Sequence, residues 1–308
     1  MSGSVALSRT DRPPRTWTPG RTGGRSRPLH TRFQAGSISK QFLSVVALAL
    51  AERGRLDLHS SITRWLPHAP AAWRDITLHH LLSSTSGLGH WGDVPGMPSL
   101  QQAPPAPEVV ERLVERAGLV HPPGTAWRYS GPGFLLAARV LQAATGTPYS
   151  ELLHRLVLAP ARTVATTSGR FPLGEPDVAE GHRRGVPVHV DAGFTALPGT
   201  GDLWTTVADL LRYTASLRAR ELLARPEALW SPYADVPAGT GDPVAKAYGY
   251  GTFLGTVAGR RAWFVPGDNP GYRSLLAHLA DDGTDLAILS DDEDRDFHDV
   301  LADLVHPE

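Results

Sequence analysis

Residues 36–53 read GSISKQFLSVVALALAER, and this stretch decides more about the fold than any other part of the chain. Its apolar residues recur at helical spacing on one face, and further apolar residues cover most of the opposite face. We therefore predict a helix over 37–53 that is buried nearly all round. Its most apolar part, residues 42–51, is too short to span a bilayer at a rise of about 1.5 Å per residue.

Ser37 and Lys40 stand three residues apart at the start of this helix, so their side chains lie on one face, one turn apart. The N-terminus of a helix favours negative charge, and apolar surroundings lower the pKa of a lysine. A lysine that has lost its proton would activate Ser37 as a nucleophile. Ser39 projects elsewhere and is assigned to packing or capping. A simple helix cap followed by an exposed lysine is the alternative interpretation.

Lysine is rare in this chain, because Lys40 and Lys246 are the only lysines among 30 basic residues. Arginine keeps its proton near neutral pH, whereas a desolvated lysine can lose it, so proton transfer is one reason to keep a lysine. Lys246 lies in the turn-like stretch GDPVAKAYGYG, residues 241–251, and we interpret it as a surface residue.

The stretch WRYSGPG, residues 127–133, is an irregular loop directly before an apolar helix predicted for residues 134–145. Tyr129 can project from this loop. A phenol held near a cationic lysine has its pKa lowered and shuttles a proton between nucleophile and leaving group. A loop tyrosine that packs on the core is the alternative.

A third stretch, VPGDNPGY at residues 265–272, is predicted to be a turn between two strands because it is rich in Gly and Pro. A strand edge at this point would supply backbone N–H groups to an oxyanion. An ordinary hairpin connection is the alternative interpretation.

The remaining periodicity divides the chain into a helical middle and a sheet after residue 245. Thr206 and Asp209 form a capping box that opens one of the helices. The acidic run 291–296 is interpreted as a turn and a helix start, since the spacing of a calcium loop is missing. The predicted helices cover 77–82, 108–118, 149–158, 206–217 and 296–305, and the predicted strands cover 248–255, 261–265, 273–279 and 285–290.

The composition of this chain of 308 residues, 41% hydrophobic and 20% charged, is that of a globular protein. A net charge of −1 provides no overall positive charge that would attract nucleic acid or an anionic membrane. The absence of cysteine excludes disulfides and thiolate chemistry. Thirteen histidines show no HExxH spacing, so we expect neither a metal ion nor another cofactor. Residues 1–32 contain seven arginines but no signal-peptide core, and we expect a solvated tail and a cytoplasmic protein.

Several motifs occur in one order along residues 31–292, and through them the chain resembles the serine β-lactamase and penicillin-binding-protein superfamily, in its class C, esterase and D-peptidase branch. The motifs are TRFQAGSISKQF (31–42), RGRLDLHSSITRWLP (53–67), ITLHHLLSSTSGL (76–88), PPGTAWRYSGPGFLLA (122–137), GTGDLWTTVADLLRY (199–213) and GDNPGYRSLLAHLADDG (267–283).

The resemblance implies an α+β fold, an antiparallel sheet flanked by helices with a large, mostly helical subdomain. The catalytic domain would cover 31–308, with the helical subdomain at about 54–240 and the main sheet at about 245–290. Residues 1–30 would be a poorly structured or short-stranded segment.

The resemblance also implies roles for individual residues. Ser37 would form an acyl-enzyme, and Lys40 and Tyr129 would move protons in both half-reactions. The oxyanion hole would use the N–H of Ser37 and one near Asp268, just after Gly267.

Two departures from the family pattern bear on the substrate. Gly131 stands where the family usually has an asparagine that binds a substrate amide. Val265 stands where it usually has a lysine or histidine, so it can neither donate to Tyr129 nor bind a carboxylate. Arg273 is a candidate to replace that cation through space.

We therefore expect a serine hydrolase of a small-molecule ester or amide, with the ester favoured because it demands less proton donation. Acyl transfer or cyclisation through the same acyl-enzyme is an alternative. A β-lactamase-fold binding protein that has lost turnover is another.

Overall fold

The structure is a computed structural model that describes residues 3–9, 12–17, 30–98, 106–170, 174–175, 177–188, 194–237, 243–297 and 300–301. Its strands are β1 (Gly3–Arg9), β2 (Arg12–Trp17), β3 (Phe33–Gln34), β4 (Thr167–Ser168), β5 (His182–Arg183), β6 (Val186–Pro187), β7 (Leu203–Thr205), β8 (Ala234–Asp235), β9 (Val244–Tyr248), β10 (Phe253–Val257), β11 (Arg260–Asn269), β12 (Tyr272–Leu279) and β13 (Thr284–Ser290). Its α-helices are α1 (Ile38–Glu52), α2 (Leu78–Leu82), α3 (Pro107–Ala117), α4 (Gly131–Thr145), α5 (Tyr149–Leu153) and α6 (Val207–Arg218).

Eight of these strands form one antiparallel sheet in the order β2-β1-β13-β12-β11-β10-β9-β8. Helices α1 and α6 pack against one face of this sheet, and Phe297, Val300 and Leu301 pack against the other. Every residue of β13 is buried because both faces are covered. The predicted α+β fold, an antiparallel sheet flanked by helices, is confirmed.

The middle of the chain is helical, with small strands where it meets the main sheet. Strands β3, β7 and β4 form a three-stranded sheet that ties the segment before α1 to the segment before α6. Helix α1 contacts α4 and α5 on one side and β11 and β12 on the other. Its residues are therefore buried from Ile38 to Leu50, as expected of a helix that is apolar all round.

The expectation of a solvated N-terminal tail was wrong for strands β1 and β2, which form the edge of the main sheet. Strand β1 pairs with β13, and its residues Val5 and Ala6 are buried in the core. Residues 18–29 lie outside the described residues. The predicted C-terminal helix over 296–305 falls mostly outside them too, because only 296–297 and 300–301 are described there.

Several predicted boundaries were wrong, each for a local reason. Helix α4 begins at Gly131 rather than at residue 134, because the Ser130 hydroxyl accepts a hydrogen bond from the Gly133 N–H and caps the helix. The strand predicted over 248–255 is two strands, β9 and β10, joined by a turn in which Gly249 N–H donates to Thr252 O at 2.7 Å.

Two further predictions differ from the structure in their side-chain or strand geometry. Thr206 caps α6 by accepting from the Asp209 N–H, but the Asp209 carboxylate accepts from Ala165 N–H and Thr166 instead of closing the predicted box. The turn predicted over 265–272 is shorter, since β11 continues through Asn269 and only Pro270 and Gly271 connect it to β12.

Candidate active site

The turn before α1 is pressed against strand β11, and two glycines allow the approach. Gly36 has a φ of +53°, and a Cβ on it would lie 2.5 Å from the backbone nitrogen of Asp268. A Cβ on Gly267 would lie 2.1 Å from Ala35 O. Ser37, the residue between this turn and α1, therefore sits beside the backbone of β11 at Asp268.

Lys40 is buried one turn into α1, with 2% of its surface exposed. Its Nζ donates hydrogen bonds to Ser37 Oγ at 2.8 Å and to Thr200 O at 2.7 Å. Burial lowers the pKa of Lys40 to about 7, and the nearby carboxylate of Asp202 opposes part of that shift. The amine is thus divided between its charged and neutral forms near neutral pH, which a surface lysine is not.

Asp202 is a buried carboxylate that holds the loop facing Lys40. It accepts hydrogen bonds from Gly199 N–H at 2.9 Å and from Ser168 Oγ at 2.5 Å, and this loop presents the Thr200 carbonyl to the lysine. Burial raises the pKa of Asp202 to about 6, and the hydrogen bonds and the charge of Lys40 counteract the rise. Asp202 lies within the motif GTGDLWTTVADLLRY, but nothing in the motif alone indicates a carboxylate that faces Lys40.

Tyr129 lines the same cleft as Ser37 and Lys40. Lys40 Nζ is 5.2 Å from the centre of the Tyr129 ring, and the Phe253 ring stacks on Tyr129 at 6.0 Å. Burial raises the pKa of Tyr129 to about 12, whereas the sequence predicted a lowered pKa. That prediction was wrong because the same burial removes much of the lysine charge on which it depended. Tyr129 therefore keeps its proton near neutral pH.

These groups form the floor of a cleft of about 800 Å³. Of the residues predicted for the site, Ser37, Lys40, Tyr129 and Asp268 line this cleft.

The other predicted residues, Gly267, Val265, Gly131 and Arg273, are not among the described residues that line the cleft. Val265 is 2% exposed in the core, on the same face of β11 as Gly267. Gly131 is buried at the start of α4. Arg273 lies opposite Asp268 in the β11–β12 register and donates to Arg295 O at 3.1 Å.

Several residues that line the cleft were not predicted from the sequence. His90 and Trp91, in the loop after the motif ending at residue 88, both line the cleft, and the His90 ring is 5.3 Å from the Tyr129 ring. Burial, with the charge of Lys40, lowers the pKa of His90 to about 4, so its ring is neutral at neutral pH.

The opposite end of the cleft is polar. Arg183 forms an ion pair with Glu293, whose other oxygen accepts from Gly271 N–H at 2.7 Å. Glu293, in the acidic run after residue 290, thus links β5 to the loop between β11 and β12. Among the described residues, no group of three or more acidic or histidine side chains is placed to hold a metal ion.

Over the ranges that the structure describes, none of the helices combines the length and apolar character needed to cross a bilayer.

Comparison with known proteins gives a consistent result at the level of sequence. The sequence model of the family described as Beta-lactamase matches residues 3–306. The chain is 25% identical over 299 residues to penicillin-binding protein 4* of Bacillus subtilis (strain 168), covering 89% of this chain and 64% of the relative. It is 32% identical over 155 residues to esterase EstB of Burkholderia gladioli, covering 46% of this chain and 39% of the relative. The chain thus spans less than two thirds of the length of either relative.

Solved structures share the fold at low sequence identity. The D-amino acid amidase from Ochrobactrum anthropi SV3, complexed with L-phenylalanine amide, matches with a TM-score of 0.84 at 22% identity, over 99% of this chain and 91% of that chain. A penicillin binding protein from Bacillus halodurans matches with a TM-score of 0.79 at 21% identity, over 98% of this chain and 95% of that chain.

Proposed function

This chain belongs to the beta-lactamase family, and from that premise we propose that it is a serine hydrolase that cleaves small esters through an acyl-enzyme on Ser37. The observation that carries the proposal is the contact of 2.8 Å between Lys40 Nζ and Ser37 Oγ, together with a lysine pKa of about 7. In its neutral form this amine can accept the serine proton, and a general base of that kind contributes about 10²–10⁴-fold to a rate.

In the first half-reaction, Ser37 Oγ attacks the ester carbonyl carbon while its proton passes to Lys40 Nζ. The carbonyl oxygen becomes an oxyanion between the N–H groups of Ser37 and Asp268, which the Gly36 turn brings together. The bond to the leaving alcohol then breaks, and the alcohol oxygen takes a proton from the phenol of Tyr129. The phenolate in turn takes the proton that Lys40 Nζ received from Ser37, so that both groups return to their starting forms. Water attacks the acyl-enzyme by the reverse route and releases the acid.

An ester suits this floor better than an amide does. An amide nitrogen must be protonated before it leaves, and Tyr129, with a pKa of about 12, is a weak acid with no cationic partner at Val265. An alcohol or phenol leaves with less help. The similarity to an esterase over 155 residues supports the same choice.

Intact-mass measurement after exposure to a fluorophosphonate and, separately, to p-nitrophenyl acetate tests the proposal. We expect one adduct per chain in the wild type and none in Ser37→Ala. Ser44→Ala is the matched control, because Ser44 lies on the same helix with its hydroxyl bonded to Lys40 O, and it should still be labelled. A folded wild-type protein that forms no adduct with either reagent would favour a binding protein that has lost turnover.

A further inference from the structure

Gly131 has no space for a side chain, and Trp91 is the reason. A Cβ on Gly131 would lie 2.4 Å from both Cε2 and Nε1 of the Trp91 indole. Trp91 also lines the cleft, with its ring 6.0 Å from that of Phe194. The Trp91 indole therefore occupies the space that a side chain at position 131 would otherwise fill.

His90, the neighbour of Trp91, has an imidazole ring whose tautomer is set by a hydrogen bond from the backbone of Gly131. The Gly131 N–H donates to His90 Nδ1 at 3.1 Å, so Nδ1 carries no proton. The ring is neutral at neutral pH, and its one proton is consequently on Nε2. His90 lines the cleft beside Tyr129 and thus offers a neutral N–H where position 131 has no side chain.

Three sets of contacts hold this pair of residues rigidly against the start of α4. Ser130 Oγ donates to Gly89 O at 2.9 Å, and the His90 N–H donates to Asp93 Oδ2 at 2.8 Å. Arg128 donates to both oxygens of Asp93, through Nη2 at 2.8 and 2.7 Å and through Nε at 3.0 Å. A surface fixed in this way before substrate arrives loses little freedom on binding, which favours selectivity.

We propose that Trp91 and His90 form the acyl-binding wall of the cleft and select an uncharged acyl group that has a flat aromatic portion and a hydrogen-bond acceptor beside it. This inference rests on the proposed hydrolysis at Ser37. The aromatic portion packs on the Trp91 indole, and the acceptor receives the Nε2–H of His90. A charged acyl group is disfavoured because the apolar side chains of Trp91, Phe194 and Met97 would desolvate it.

The aromatic part of the proposal is tested with p-nitrophenyl phenylacetate and p-nitrophenyl cyclohexylacetate, which share a leaving group and differ in the flatness of the ring. The ratio of their kcat/KM values should fall by about fivefold in Trp91→Ala, as expected for the loss of an aromatic pair. Trp65→Ala is the matched control, because Trp65 is a half-buried tryptophan at a different cavity, and it should keep the wild-type ratio. An unchanged ratio in Trp91→Ala would overturn the aromatic contact.

The donor is tested with p-nitrophenyl phenoxyacetate and p-nitrophenyl 3-phenylpropionate, in which an ether oxygen replaces a methylene. Their intrinsic reactivities differ, so the change in the kcat/KM ratio between variants is the measurement. We expect the ratio to fall about fivefold in His90→Phe and to be largely kept in His90→Gln, which retains a donor. Equal ratios in wild type and His90→Phe would overturn the donor.

Binding in the absence of turnover separates this inference from the proposed function. Calorimetry on Ser37→Ala with the N-methyl amides of phenylacetic and cyclohexylacetic acid should give the same preference for the aromatic ring, and Trp91→Ala in that background should remove it. If the wild type forms no acyl-enzyme but this preference is present, the hydrolase proposal fails and the wall is retained. If the wild type hydrolyses every ester and neither ratio responds to Trp91→Ala or His90→Phe, the wall alone fails.

Discussion

The floor of the cleft, formed by Ser37, Lys40 and Tyr129, and its wall, formed by His90 and Trp91, which pack against Gly131, are built from different kinds of interaction. Burial moves the pKa of two floor groups, to about 7 for Lys40 and to about 12 for Tyr129. The wall carries no charge at neutral pH and is held by steric contact and backbone hydrogen bonds. This difference shows that the floor requires particular residue types, because its side chains exchange protons. The wall instead requires a particular shape, because its side chains are held by contacts with the residues around them.

The largest expected effect is on the floor. Lys40→Arg keeps a positive charge but removes the only floor group whose proton can be lost near neutral pH, so kcat for p-nitrophenyl acetate should fall about 10³-fold. Steady-state kinetics and labelling by the fluorophosphonate measure the loss. Lys246→Arg, at the exposed lysine of β9, should leave both unchanged. Activity within tenfold of wild type in Lys40→Arg would mean that the floor does not work through a titrating amine.

The second effect lies in the wall and is measured as stability. Gly131→Ala places a methyl group inside the Trp91 indole and should lower the free energy of unfolding by about 1–3 kcal/mol, as overpacking does. In a Trp91→Ala background the same change should cost well under about 1 kcal/mol, because the opposing atoms are gone. Urea unfolding of the four proteins in this cycle gives the coupling. Strictly additive costs would show that Gly131 is small for some reason other than Trp91.

The third effect separates the charge of the floor from its packing. The Asp202 carboxylate raises the pKa of Lys40, so Asp202→Asn should lower that pKa, and the rise of kcat/KM with pH should move to lower pH. Asp209→Asn, at a buried carboxylate on α6, should leave the profile in place. A profile that loses height without moving would assign Asp202 a purely structural role.

Sequence reasoning paired Ser37 with Lys40 because the two are closely spaced, whereas Tyr129, far along the chain, was joined to them by the family resemblance. One lysine of two stands three residues from a serine at the start of a buried helix, and the helix itself follows from periodicity. The antiparallel sheet followed from the β-forming stretches after residue 245, with errors at the turns of residues 249–252 and 265–269. Those errors are local, because a glycine or proline can lie inside a strand as well as end it, as Gly267 does in β11.

The wall could not be found in the same way, because it depends on contacts across the chain. His90 and Gly131 are 41 residues apart, and nothing in either stretch announces the hydrogen bond between them. The absence of a side chain at position 131 was visible, but the indole that fills its place was not. The prediction of a lowered pKa for Tyr129 was wrong for a related reason. The burial of Tyr129 and the charge of Lys40 are properties of the folded site and cannot be read from the sequence.

The smallest expected effect asks whether the floor lacks a donor that could be restored. Val265 shares a face of β11 with Gly267, which contacts the Ala35–Gly36 turn, so a histidine at position 265 would project toward the layer that carries Ser37. The donor would assist Tyr129, but burying an imidazole among apolar residues offsets much of the gain. We therefore expect kcat for p-nitrophenyl acetate to rise only about threefold in Val265→His and not to rise in Val265→Leu, which changes size without adding a donor. A folded Val265→His protein with unchanged or lower kcat would indicate that Ser37, Lys40 and Tyr129 need no further polar side chain from β11. Position 265 would then belong with the uncharged residues around the floor.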